Sequence, residues 1–139
     1  MATRNFEGGL AEISYPTLVF LRGIFDIVLI ETVGVGQSET EIVENADFVL
    51  FCAQPASGDS LQFMKAGIME EPDLIFVTKG DLGKAAVQTA SDIQGALSLS
   101  QKNEAIGVAI VSSLSCEGIL DGFKLLEECI IERQTLHSE

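Results

Sequence analysis

The feature that most constrains this chain is a set of four short runs, each of strand length and nearly continuous in apolar residues. They cover residues 25–33, 47–53, 73–78 and 106–111. A strand with one wet face alternates apolar and polar side chains, whereas a near-continuous run fits a parallel strand buried on both faces. Helical patterns lie between the runs. Residues 59–70 place Leu61, Met64, Lys65 and Ile68 at helical spacing behind Asp59, a residue type suited to an N-cap. Residues 82–103 read as a longer helix rich in small residues. Residues 117–134 read as a final helix whose stripe is Leu120, Phe123, Leu125, Leu126 and Ile130. Strands alternating with helices predict an α/β fold with a mainly parallel sheet flanked by helices. Residues 13–23 stay open at this stage. Proline in a helix interior costs ~3 kcal/mol, so either a helix begins near Pro16 or residues 17–21 are extended. No repeat, low-complexity segment or linker interrupts the chain, and residues 1–139 read as a single domain.

Composition bounds the partners. At 139 residues, 47% hydrophobic and 21% charged, the chain can bury a core of its own. It has 21 acidic against 8 basic residues, a formal charge of −13, which repels a phosphate backbone or an anionic bilayer. Neither nucleic acid nor membrane is therefore an expected partner. Arg22, Asp26 and Glu31 break the most hydrophobic stretch, which argues against a bilayer span. Three cysteines, Cys52, Cys116 and Cys129, form no C-x-x-C pair and no disulfide framework. They suit a reducing cytoplasm. The first residues carry no apolar core of a secretory signal.

Three segments sit where an open α/β sheet binds ligands, beyond the carboxyl ends of its strands. The first is Glu31-Thr32-Val33-Gly34-Val35-Gly36-Gln37-Ser38-Glu39. A carboxylate there can hold a magnesium-bound water, and two glycines let the backbone approach a phosphate; the plainer reading is an ordinary exit from a strand. The second is Thr78-Lys79-Gly80-Asp81. A carboxylate at this place can accept two hydrogen bonds from a guanine, which adenine cannot supply, while the lysine stem lies along the base; a polar turn explains the same residues. The third is Val111-Ser112-Ser113-Leu114-Ser115, whose small residues would let backbone N–H groups reach a base oxygen, or simply supply a helix cap before Glu117.

Taken together these segments are more specific than any one alone. Residues 30–39 (Ile-Glu-Thr-Val-Gly-Val-Gly-Gln-Ser-Glu) closely resemble the signature of the MeaB/ArgK family of P-loop GTPases. Residues 57–70 (Ser-Gly-Asp-Ser-Leu-Gln-Phe-Met-Lys-Ala-Gly-Ile-Met-Glu) resemble that family's next motif. Thr78-Lys79-Gly80-Asp81 is similar to its guanine-reading Asn-Lys-x-Asp motif, and Gly8-Gly9-Leu10-Ala11 to its upstream Gly-Gly-x-Ala segment. The resemblance runs from about Gly8 to about Leu126. It implies GTP or GDP and Mg²⁺ as ligands, with Glu31 at the magnesium and γ-phosphate edge and Gly34 donating its backbone N–H to that phosphate. It makes residues 35–39 a switch in which Gln37 or Glu39 orients a water. It makes Asp81 the selector of guanine, with Thr78 and Lys79 in the same loop and Ser112, Ser113 and Leu114 closing over the base. It further implies a GTP-dependent chaperone of a cobalamin-dependent acyl-CoA mutase, and a homodimer.

The chain also departs from that pattern. No G-x-x-x-x-G-K-[ST] occurs anywhere in it, and that loop supplies most of the phosphate affinity and catalytic electrostatics. GTP hydrolysis by this chain alone is therefore not expected. The expectation is a partial P-loop NTPase fold, a fragment or truncated form that lacks the phosphate-loop strand. The gap in its sheet would be filled by a complementing N-terminal half, by a strand exchanged in a homo-oligomer, or by residues 17–21. Thr78 stands where the family pattern has Asn. A second reading, a non-catalytic module that binds a partner subunit without nucleotide, accounts for the missing loop equally well.

Overall fold

The computed structural model describes residues 14–31, 46–55, 72–98 and 106–136. The expected helix over 59–70 and the glycine loop at 34–39 lie outside the described residues. The chain divides into two units, Met1–Asp47 and Phe48–Glu139.

The first unit contains helix α1, Ser14–Arg22, so the open reading of residues 13–23 resolves as a helix. Pro16 falls in its first turn, where backbone N–H groups lack helical partners and a missing donor costs nothing. The helix closes on Phe25 N donating to Leu21 O at 2.9 Å, and Arg22 reaches Asp47 at 2.9 Å on an exposed surface. The run after it corrects the sequence reading. Over its described part, residues 25–31, it forms no strand, and Ile27 and Leu29 are 78% and 91% exposed. A strand exists only by hydrogen-bonding to a neighbour. Among the described residues no segment pairs with this run, so its apolar sequence is left without a ladder.

The other three runs do form strands. β1 (Leu50–Ala53), β2 (Leu74–Val77) and β3 (Gly107–Ile110) lie side by side in that order, all parallel. Ala53, Val77 and Ile110 fall in line at their C-terminal ends. Each strand is shorter than the apolar run that predicted it, because pairing stops where the chain turns away.

Alternate residues of the strands face opposite helices. Ala53, Ile75 and Val77 meet Ala86, Ala90 and Ile93 of helix α2, Lys84–Leu97, and this is the buried core of the second unit. The small residues of α2 let its axis approach the sheet closely. The expected start at residue 82 is displaced, because Gly80–Leu82 form a 3-10 turn before the helix. On the other face, Gly107 sits against Leu74 and Leu125, and Gly122 against Phe76 and Val111. Leu125 and Gly122 belong to helix α3, Ile119–Leu136. Its packing face corrects the predicted stripe: Gly122 is buried and Leu125 and Leu126 are half-buried, but Leu120 and Phe123 point outward, 77% and 55% exposed. Glycine carries no hydrophobicity, so a stripe drawn from large apolar residues misses it.

One polar junction ties the amino ends of the strands to α3. Asp73, whose side chain is 12% exposed, accepts the Val49 backbone N–H at 2.7 Å and pairs with the Arg133 guanidinium. It thereby fixes the entry to β1, the start of β2 and the last turn of α3 together. Truncating Asp73 removes the acceptor of the Val49 N–H and the partner of Arg133 at once, at a part-buried place, which costs more than losing an exposed pair. Asp73→Ala is expected to destabilise the fold by about 2–4 kcal/mol, read as a lower urea midpoint, whereas Asp47→Ala at the exposed pair should shift it by less than about 1 kcal/mol.

Candidate functional site

Because the three strands are parallel and end in register, their following residues share one edge of the sheet. Gln54 follows β1, Thr78 to Asp81 follow β2, and Val111 and Ser112 follow β3. Hydrogen bonds stitch these exits to one another. Thr78 donates both its backbone N–H and its hydroxyl to Ala53 O, at 2.8 and 3.0 Å. Lys79 donates its Nζ to Gln54 Oε1 at 2.8 Å. Gly80 donates its N–H to Val111 O at 2.9 Å.

The loop carries local strain. Lys79 adopts φ 54°, ψ 44°, the left-handed region, which costs a non-glycine residue roughly 1–2 kcal/mol. Gly80 is the close approach that follows: a Cβ there would lie 3.0 Å from Ile110 Cγ2 and 3.3 Å from Val111 O. This tight crossing turns the chain so that Asp81 lands over the β3 exit.

There Asp81 Oδ1 accepts a hydrogen bond of 2.6 Å from Ser112 Oγ. Ser112 is fully buried, and its Oγ also accepts the Ser115 N–H at 3.2 Å while its own N–H donates to Glu117 O at 3.0 Å. The hydroxyl that the sequence left open as a helix cap thus serves Asp81 and its own turn. The residue before α3 is Gly118, at φ 72°, where a Cβ would lie only 2.1 Å from Ile110 O. A carboxylate offers about four acceptor directions, and Ser112 takes one. Asp81 itself is exposed, so an oriented carboxylate faces solvent with acceptors left for two neighbouring N–H donors.

The predicted site residues therefore separate into groups. Thr78, Lys79, Asp81 and Ser112 are brought together, and Ser113 and Leu114 lie exposed in the turn beside them. Glu31 is exposed at the end of the described part of its run, in the first unit. Gly34, Gln37 and Glu39 lie outside the described residues. Among the described residues no three acidic, cysteine or histidine side chains gather to hold a metal. Sequence reasoning missed Gln54, although its place directly after an apolar run was a usable signal. It also missed Gly118, whose need for positive φ shows only in the turn.

Two of the thiols, Cys52 and Cys129, are not poised for nucleophilic chemistry. Burial pushes the Cys52 thiol up, and burial together with Glu132 and Glu128 pushes the Cys129 thiol up. A raised pKa keeps the protonated form. Among the described residues no helix is long and apolar enough to cross a membrane.

Ser112→Ala removes a buried hydroxyl that serves two partners. The expected loss is about 1–3 kcal/mol in urea denaturation with unchanged far-UV circular dichroism, while Ser113→Ala, on the exposed side of the turn, should be nearly silent.

Comparison with known proteins fits this geometry. The family model described as methylmalonyl Co-A mutase-associated GTPase MeaB matches residues 1–137. The methylmalonic aciduria type A homolog, mitochondrial, of Caenorhabditis elegans is 44% identical over 98 residues, which is 68% of this chain and 25% of that protein. Its Caenorhabditis briggsae counterpart is likewise 44% identical over 98 residues, covering 68% and 24%. The Mus musculus homolog is 36% identical over 132 residues, covering 91% of this chain and 32% of the mouse protein. The chain spans about a quarter to a third of the length of these relatives. Its α/β organisation, a parallel three-stranded sheet flanked by helices, is consistent with part of a P-loop NTPase domain. The chain belongs to the MeaB family of methylmalonyl Co-A mutase-associated GTPases.

Proposed function

We propose that this chain is the switch and guanine-reading half of a MeaB-type GTPase domain. The observation that carries the reading is the hydrogen bond from buried Ser112 to exposed Asp81, beside the backbone bond from Gly80 to Val111. These hold a carboxylate at the carboxyl edge of a parallel sheet before any ligand arrives, so its orientation costs nothing at binding. In this reading Asp81 accepts from the ring and exocyclic nitrogens of guanine, and Lys79 lays its stem along the base. Ser113 and Leu114 close over it. Thr78, at the position where the family pattern has Asn, ties the loop to β1 through Ala53 O.

The phosphate end of the reading rests on Glu31, Gly34 and Gln37. Glu31 would face a magnesium ion through water, since Mg²⁺ keeps several waters and takes few protein carboxylates. Gly34 would donate to the γ-phosphate and Gln37 or Glu39 would position a water. The phosphate-loop motif is missing from the sequence, so hydrolysis by this chain alone is not proposed. With its complementing half or a second copy, it would act in the cytoplasm as part of a GTP-dependent chaperone for a cobalamin-dependent acyl-CoA mutase. The missing motif favours one second reading, a non-catalytic module that binds a partner subunit without nucleotide.

Calorimetric titration of the whole chain with GDP and then ADP, in magnesium buffer, separates the two. The proposed function predicts weak GDP binding and ADP binding weaker by about 100-fold, because adenine offers no pair of N–H donors to the Asp81 carboxylate. Asp81→Ala should then abolish the preference. Binding of neither nucleotide would support the interaction module instead, and equal binding of both would contradict the selection of guanine by Asp81.

A further inference from the structure

Both strands that flank β2 grip its exit loop, and each does so with a backbone carbonyl and one side chain. From the β3 side, Val111 O accepts the Gly80 N–H and Ser112 Oγ donates to Asp81 Oδ1. From the β1 side, Ala53 O accepts both Thr78 donors, and Gln54 Oε1 accepts from Lys79 Nζ at 2.8 Å. The proposed function gives Ser112 its part, the orientation of Asp81, but leaves Gln54 without one.

Gln54 and Lys79 are both exposed, yet their backbones have little freedom. Gln54 directly follows β1 and precedes the buried Pro55, and a residue before proline is kept extended. Lys79 is held at φ 54°, ψ 44°, between two neighbours, Thr78 and Gly80, that are each hydrogen-bonded to an adjacent strand exit. Only the side-chain torsions of the pair remain to be fixed, and the bond between them fixes those. Lysine has much rotamer freedom to lose on binding a ligand, so a partner that restricts it beforehand lowers that cost. An amide oxygen restricts it without cancelling the ammonium charge, which a carboxylate at the same place would do.

We propose that Gln54 is a positioning residue for guanine recognition, holding Lys79 so that its stem stands as a fixed wall beside the Asp81 carboxylate before nucleotide arrives. This rests on the reading of Asp81 as the selector of guanine and adds a residue from the β1 exit to it. Gln54 acts through Lys79 and does not itself touch the base. The two flanking strands then divide the task, Ser112 setting the aspartate and Gln54 the lysine. Because the bond is exposed, its effect on affinity is several-fold rather than all-or-none.

The test is a double-mutant cycle on the whole chain, read by calorimetric titration with GDP: wild type, Gln54→Met, Lys79→Met and both together. Methionine nearly keeps the length of either side chain and removes its polar end. Gln54→Met should weaken GDP binding by roughly three- to tenfold and leave the urea midpoint unchanged, the bond being exposed. In the Lys79→Met background the same substitution should change GDP affinity less than about twofold, because a residue acting through another adds nothing once that other is gone. Without nucleotide, the two ε-methylene protons of Lys79 should be inequivalent by NMR in the wild type and equivalent in the Gln54→Met variant. Unchanged GDP affinity in that variant, an equal loss in both backgrounds, or unaltered ε-methylene signals overturns the proposal and leaves the reading of Asp81 standing. A wild type that does not bind GDP, or binds it regardless of Asp81→Ala, overturns that reading and this proposal with it.

Discussion

Everything described at the carboxyl edge of this sheet depends on the parallel, in-register pairing of β1, β2 and β3. Parallel strands send all their exits to one side, and alignment of Ala53, Val77 and Ile110 brings those exits to the same height. Gln54, Lys79, Asp81 and Ser112 then need no long reach to meet. An antiparallel neighbour would have sent one of these segments to the far end of the sheet. Slippage by one residue would have turned Val77 and Ile110 out of the core and Asp81 away from Ser112.

The two ends of the sheet are held by different chemistry, and the difference has a physical sense. At the amino end, a half-buried ion pair between Asp73 and Arg133 joins a backbone N–H to the last turn of α3. That junction is built for rigidity. At the carboxyl end, the left-handed Lys79, the close crossing at Gly80 and the buried Ser112 hydroxyl place strain beside an exposed carboxylate. Strain kept at a strand exit is characteristic of sites where orientation matters more than stability.

Much of this was legible in the sequence because it follows from composition over short windows. Residues 73–78 and 106–111 are nearly continuous in apolar residues, and both supply parallel strands, β2 largely buried and β3 half-buried at the edge of the described sheet. Thr78, Lys79 and Asp81 were legible as a turn with a chemical option, and Ser112 as a small residue near it. The failures have specific causes. Residues 25–31 carry the composition of a strand, but composition cannot supply the neighbour that a ladder requires. The stripe drawn through Leu120 and Phe123 assumed that large apolar side chains face the sheet, whereas Gly122 does so and turns those two outward. Gln54 and Gly118 went unnoticed because one is an ordinary amide and the other an ordinary glycine until the fold places them.

The central claim is that the β2 and β3 exits form a preoriented guanine reader, and amide chemical shifts test it most directly. In a ¹⁵N-labelled sample of the whole chain, GDP should move the amides of Lys79, Gly80, Asp81, Ser113 and Leu114, with ADP at the same concentration leaving them in place. Shifts elsewhere with this loop unmoved, or identical shifts with both nucleotides, would contradict the account.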